Sequence, residues 1–368
     1  MKIVYITNGV SGPGGLERVL SIKASYFADT MEYDIHILTL NSEGADLFYD
    51  FSKAISFHTV TAKGNPFSYI RQYRKGIKNM LISLEPDVVC VCDDGLKGLL
   101  LPYIIGKPFP MVYERHVSKN IQIKKEASSF LDQLKNKITF KLMDLGAAKY
   151  DKFVVLTNGN TKEWHLKNMQ VIPNPLSFFP KREDLSTLTN KKVLAVGKQS
   201  FQKGYDRLLQ SWKLVVDKYP DWALDIYGTK SEKEALPKLA EELGITKSVN
   251  FYAPVKNIAN KYQEASIYVM SSRYEGFGMV LTEAMAYGVP CVSFDCPHGP
   301  ADIITTGKNG ILVANHDSEA LGNALLTLIE DDEKRNAMGA TARVDVARYS
   351  IKKIAKEWGN LFNQLIVN

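Results

Sequence analysis

Residues 271–290, SSRYEGFGMVLTEAMAYGVP, decide how the rest of the chain is read. They follow Ser266-Ile267-Tyr268-Val269-Met270, a short run of the buried-strand kind. Glu275 opens a glycine turn, Gly276-Phe277-Gly278, and from Met279 onward the residues favour helix. Gly288 and Pro290 supply the usual stop. A strand, a glycine turn and a helix N-terminus leave backbone N–H groups free and aimed at one spot, which suits an anion or a ring of hydroxyls. Glu275 and Glu283 flank that spot. Eight residues of continuous helix separate them by roughly 12 Å, far more than the roughly 5 Å of a nucleophile–acid pair in a retaining glycosidase. The intervening turn can shorten that distance. Three readings therefore stand: a catalytic pair, two acids each accepting hydrogen bonds from one long hydroxyl-rich ligand, or two solvated acids complementing the helix dipole.

The remainder of the chain repeats the same unit. Lys2–Ile6 reads as a strand, Asn8–Gly15 as a glycine loop, and Leu16 onward as a helix. Its glycines do not fall as G-x-G-x-x-G, and the next strand, Asp34–Leu40, ends in Asn41 where an acid would hold a ribose, so a nicotinamide enzyme is excluded. Strand runs follow at 87–92, 110–114 and 153–157, each after a helical segment, so a parallel sheet is expected. His116 comes just past the carboxyl end of one of them, the side on which such sheets bind ligands; the alternative is a histidine capping nearby backbone. The pattern restarts at Lys191–Gly197, with strands at 223–227, 249–252, 267–270 and 291–294. The expected architecture is α/β, two Rossmann-like doubly wound domains facing across a cleft that holds the ligands. The N-terminal one covers 1–174, a linker 175–190, and the second 191–350. Helix 351–368, with Ile354, Trp358, Leu361 and Leu365 at helical steps, is expected to pack back onto the first.

Size and composition agree with two ordinary globular domains: 368 residues, 45% hydrophobic and 23% charged. No apolar window is long enough for a transmembrane helix, and MKIVYITNG reads as a strand rather than a signal peptide. Cys90, Cys92, Cys291 and Cys296 match neither a zinc ribbon nor a C-x-x-C pair, so free thiols in a reducing cytoplasm are expected. The charge of +6 comes without a dense basic run, which argues against nucleic acid. Residues 119–149 hold seven lysines against three acids, with Phe130, Leu131, Leu134, Ile138, Leu142 and Leu145 at helical steps. The first expectation is a core-facing stripe with a solvated back. The second is peripheral contact with an anionic membrane.

Four motifs, spread over nearly the whole chain, resemble glycosyltransferase family 4, the retaining nucleotide-sugar transferases of the GT-B fold. They are Gly14-Gly15-Leu16-Glu17-Arg18-Val19, Val196-Gly197-Lys198 with Lys203-Gly204, Glu275-Gly276-Phe277-Gly278-Met279 through Glu283, and Gly307–Val313. The E-x(7)-E element is highly specific. The resemblance implies that Glu283 binds the ribose, Glu275 the transferred sugar, and Lys198 and Lys203 the diphosphate. Gly14 and Gly15 match the loop approaching phosphates and acceptor, and His116 the histidine beside the reacting face of the sugar. Gly276, Phe277, Gly278 and Met279 join the donor site; Val255 belongs to the stretch lining the base, where Ala253 stands in place of the usual glycine. Lys198 replaces the usual arginine, keeping the charge but losing the bidentate fork.

The implied reaction transfers a hexose or N-acetylhexosamine from a nucleotide diphosphate sugar, with UDP the commonest handle in the family, to a glycan or lipid-linked acceptor of surface polysaccharide, lipopolysaccharide among them. Two lysines and a helix N-terminus at the departing phosphate suit a metal-independent mechanism with no cofactor, and the chain lacks the D-x-D run of metal-dependent transferases. The other readings are a nucleotide-sugar 2-epimerase on the same architecture and a non-catalytic sugar-nucleotide-binding protein.

Overall fold

A computed structural model describes residues 1–42, 44, 46–119 and 130–367. The chain divides into two compact units, Met1–Pro175 with Ile351–Asn368, and Leu176–Ser350.

The first unit runs β1 (Lys2–Ile6), α1 (Gly15–Asp29), β2 (Asp34–Leu40), β3 (Ser56–Val60), α2 (Pro66–Leu84), β4 (Val88–Val91), α3 (Leu96–Leu99), α4 (Leu101–Ile105), β5 (Met111–Glu114), α5 (Phe130–Ala148), β6 (Lys152–Val155), α6 (Asn158–Thr161) and β7 (Met169–Val171). Its seven strands are all parallel, in the order β3-β2-β1-β4-β5-β6-β7. Side chains alternate across the sheet with the strand period of two. Ile3 and Tyr5 therefore pack with α1, while Val4 and Ile6 pack with Tyr73, Ile77 and Leu81 of α2 and with Met143 and Ala147 of α5. Burial of both faces explains why the central strands read as unbroken apolar runs.

The second unit runs β8 (Lys192–Val196), α7 (Tyr205–Lys218), β9 (Ala223–Tyr227), α8 (Leu236–Glu242), β10 (Val249–Tyr252), α9 (Ala259–Glu264), β11 (Ile267–Met270), α10 (Met279–Ala286), β12 (Cys291–Asp295), α11 (Pro300–Ile303), β13 (Gly310–Ala314), α12 (Ser318–Glu330) and α13 (Asp332–Val346). Its six parallel strands are ordered β10-β9-β8-β11-β12-β13. Residues 176–190, expected as a linker, count with this unit, and Leu176 and Leu188 are buried. The final helix, α14 (Ile351–Val367), counts with the first unit and buries Ile354, Trp358, Leu361 and Phe362 against the α1 side of that sheet.

One expectation is overturned. The apolar stripe of α5 does not face the core: Leu131, Leu134, Ile138, Leu142 and Leu145 are between 40% and 74% exposed, while Met143, Gly146 and Ala147 are turned inward. The cause is close packing. A β-carbon at Gly146 would press on the backbone of Leu99, so the small-residue side of the helix, rather than its leucine side, fits against α3. Residues 120–129 and the Phe130 side chain lie outside the described residues. No described helix is long and apolar enough to cross a membrane. All four cysteines are free and buried.

Candidate functional site

In both sheets the strand order reverses at one place, between β1 and β4 in the first and between β8 and β11 in the second. Loops leaving the carboxyl ends of such strands diverge to opposite faces and open a ligand crevice. The motif residues sit on these loops. Lys198 and Lys203 follow β8, and Glu275 to Met279 follow β11; Gly14 and Gly15 follow β1, and His116 follows β5, two strands from β1.

In the second unit the two loops are laced together. Arg273 N–H donates to the Gln202 carbonyl at 2.7 Å, and the Gln202 amide donates to the Tyr274 carbonyl at 3.1 Å. The Arg273 guanidinium is bidentate on Asp206, at 2.9 and 2.6 Å, and covers the Phe201 ring. Burial alone would raise the Asp206 carboxyl, but the Arg273 guanidinium holds it below its ordinary value. Gly204 makes this lacing possible. Its φ is +63°, and a β-carbon there would collide with the Ser271 carbonyl. The turn so fixed delivers Lys203 Nζ to Glu275 Oε1 at 2.7 Å. Ser272 Oγ donates to the same oxygen at 2.6 Å. Oε2 of Glu275 is left with no hydrogen bond among the described residues.

Glu275 is itself clamped, its N–H on the Pro297 carbonyl at 2.8 Å and its carbonyl receiving the His298 N–H at 3.1 Å. Gly276, Phe277 and Gly278 are buried, Phe277 edge-on to Tyr349. Gly278, at φ +96°, forms the N-cap of α10 with no side-chain cap, so the first N–H groups of the helix from Met279 are not satisfied by capping. Glu283 lies inside α10, 1% exposed, with Ser177 Oγ on Oε1 at 2.7 Å and Tyr262 Oη on Oε2 at 2.8 Å. Both acids are thus buried, which removes the reading of two solvated helix-start carboxylates. Lys198 is exposed. Val255 is also exposed, in the turn after β10, the edge strand two places from β8, whereas the Lys203–Glu275 pair sits on the loops after β8 and β11.

In the first unit His116 Nε2 lies 3.2 Å from Glu114 Oε2, and Lys23 Nζ donates to that same oxygen. Both side chains of the Lys23–Glu114 pair are 2% exposed, and the Lys23 ammonium stands 4.1 Å from the Trp358 ring centroid. Burial pushes the Glu114 carboxyl up, but Lys23 and His116 together take it down to about 2. His116 Nδ1 is buried without a partner, so this is not a histidine capping backbone through its ring. Cys92, Glu114 and His116 bring donor atoms within 4.8 Å of one another. They do not suit a cation: Lys23 already neutralises the carboxylate, and burial pushes the Cys92 thiol well up, away from the thiolate a metal needs. Gly14 caps α1, and the Glu17 carboxylate folds back over it; a β-carbon at Gly15 would meet no protein atom.

Ser177, Tyr262, Ser272 and the Arg273–Asp206 pair escaped the sequence reading. Ser272 had a local signal, three residues before Glu275; Tyr262 and Ser177 meet Glu283 only through the fold.

The family model for glycosyl transferases group 1 matches residues 179–345, nearly all of the second unit. An uncharacterized glycosyltransferase of Haemophilus influenzae is 29% identical over 97% of this chain and 98% of its own length. The amylovoran biosynthesis glycosyltransferase AmsD of Erwinia amylovora is 29% identical over 98% of this chain and 99% of its own. Among solved structures, Anabaena Alr3699/HepE in complex with UDP-glucose superposes with a TM-score of 0.79, covering 99% of this chain and 100% of that one at 19% identity.

Proposed function

We propose that this chain, a glycosyltransferase of the GT-B type, is a retaining family 4 enzyme that moves a hexose or N-acetylhexosamine from a UDP-sugar to a glycan or lipid-linked acceptor in surface polysaccharide synthesis. The observation that carries this reading is the ammonium–carboxylate contact at the strand-order reversal of the second sheet, Lys203 on Glu275. An ammonium has three donors, so Lys203 can hold Glu275 with one and a diphosphate with the others. Glu275 Oε2 is free to accept sugar hydroxyls, and the uncapped start of α10 adds N–H groups and a positive dipole end. Glu283, inside α10 and held by Ser177 and Tyr262, is assigned to the ribose.

In the reaction the bond from the anomeric carbon to the phosphate oxygen breaks, and its electron pair leaves on UDP. Lys203, Lys198 and the α10 N–H groups stabilise that charge. The acceptor hydroxyl bonds to the anomeric carbon from the same face, and its proton passes to the departing phosphate. His116, oriented by Glu114, is assigned to the reacting sugar.

A thermal-shift panel of UDP-, GDP- and ADP-sugars tests the donor. A ligand at 100 times its Kd stabilises by about 2.7 kcal/mol, so a UDP-sugar is expected to raise Tm by several degrees and the others not. No shift with any nucleotide sugar would defeat the reading.

A further inference from the structure

On the first unit, α2, α4 and α5 form one layer, their inner sides packed on the same face of the sheet. The outer side of this layer is unusual. Along α5, apolar residues recur at steps of three, four, four and three from Leu131 to Leu145, and that stripe points away from the core. Exposed Lys135, Lys137 and Lys141 border it. On α2, Phe67 is 87% exposed beside exposed Arg71 and Arg74, and the helix has no acidic residue. Between them, Tyr103 of α4 is exposed, with the Lys149 ammonium over its ring.

We propose that the outer face of this three-helix layer docks on an anionic lipid bilayer, with α5 lying in the plane of the interface. Apolar side chains flanked by ammonium groups suit a surface that is greasy below and negative above: the leucines enter the acyl boundary while the lysine stems reach back to the phosphates. A second copy of the chain fits less well, because pairing α5 with itself brings lysines against lysines. The inference is independent of the donor and of the transferase reading, and its test uses no nucleotide sugar.

The full-length protein is sedimented with vesicles of phosphatidylethanolamine and phosphatidylglycerol (about 7:3) or of phosphatidylcholine alone, and its mass is read by light scattering. Wild type is expected to partition at least tenfold more strongly to the anionic vesicles, and to lose most of that binding in 0.5 M NaCl. Leu134→Glu/Ile138→Glu is expected to lower partition at least tenfold. Lys135→Glu/Lys137→Glu/Lys141→Glu should lower it roughly a hundredfold or more and remove the salt dependence. Since these side chains are exposed, Tm is expected to hold within a few degrees in both; should the apolar variant fail to fold, the lysine variant carries the test. Equal binding to both vesicle types, or undiminished binding by the folded variants, overturns the proposal. So does a wild-type dimer that Leu134→Glu/Ile138→Glu converts to monomer.

Discussion

Each unit holds a lysine–glutamate pair beside its motif loops, and the two pairs differ in burial. Lys23 and Glu114 are sealed at 2% exposure each; Lys203 and Glu275 are at 18% and 9%. The sealed pair is shared with His116 and covered by Trp358, so its charges serve the fold and the orientation of a neighbour. Glu114 Oε1 and Glu275 Oε2 both lack a hydrogen-bond partner among the described residues, but only Glu275 belongs to a pair that is partly open, so its charges can serve a ligand. The same two residue types do different work according to what water and substrate can reach.

The sharpest way to break this comparison is to unpair the sealed lysine. Glu114→Gln strands a buried ammonium and is expected to cost about 3–5 kcal/mol in denaturant unfolding, most of which Lys23→Met/Glu114→Leu should recover. A cost below about 1 kcal/mol would mean the pair is solvated after all. The acid dependence follows from the lowered carboxyl. An unfolded glutamate titrates near 4.3, and the folded one at about 2. The stability from Glu114 is therefore complete above about pH 4.3 and lost as pH falls towards 2, so the double variant should show a shallower loss of Tm across that window.

The open pair predicts kinetic effects rather than structural ones. Glu275→Ala is expected to lower kcat by roughly tenfold to a hundredfold with donor KM little changed, while Glu283→Ala raises donor KM by a similar factor. Steady-state kinetics with both variants at wild-type values would remove these acids from the site. Lys198→Ala, losing an exposed ammonium with no partner among the described residues, is expected to weaken UDP binding least, by about 1 kcal/mol or less.

Most of the fold was legible because buried parallel strands leave continuous apolar runs. The strands that went unread are edges: Ser56–Val60, with its polar SFHTV pattern, the three-residue Met169–Val171, and Gly310–Ala314, read only as a family motif. An edge strand is half solvated and need not be apolar throughout. The glycine turn and α10 also followed from residue type, since Gly278 and Gly288 both take positive φ. What could not be read was contact across distance. Lys203 meets Glu275 over 72 residues, and Tyr262 meets Glu283 over 21. Periodicity showed that α5 carries a stripe, but its direction depended on Gly146 meeting Leu99.

The most direct measurement is a crystal structure with bound UDP, paired with calorimetric titration of UDP against Lys203→Ala. The account predicts diphosphate oxygens about 3 Å from Lys203 Nζ, and a loss of about 1.5–3 kcal/mol in the variant. UDP bound away from the β8 and β11 loops, with unchanged affinity in the variant, would contradict it.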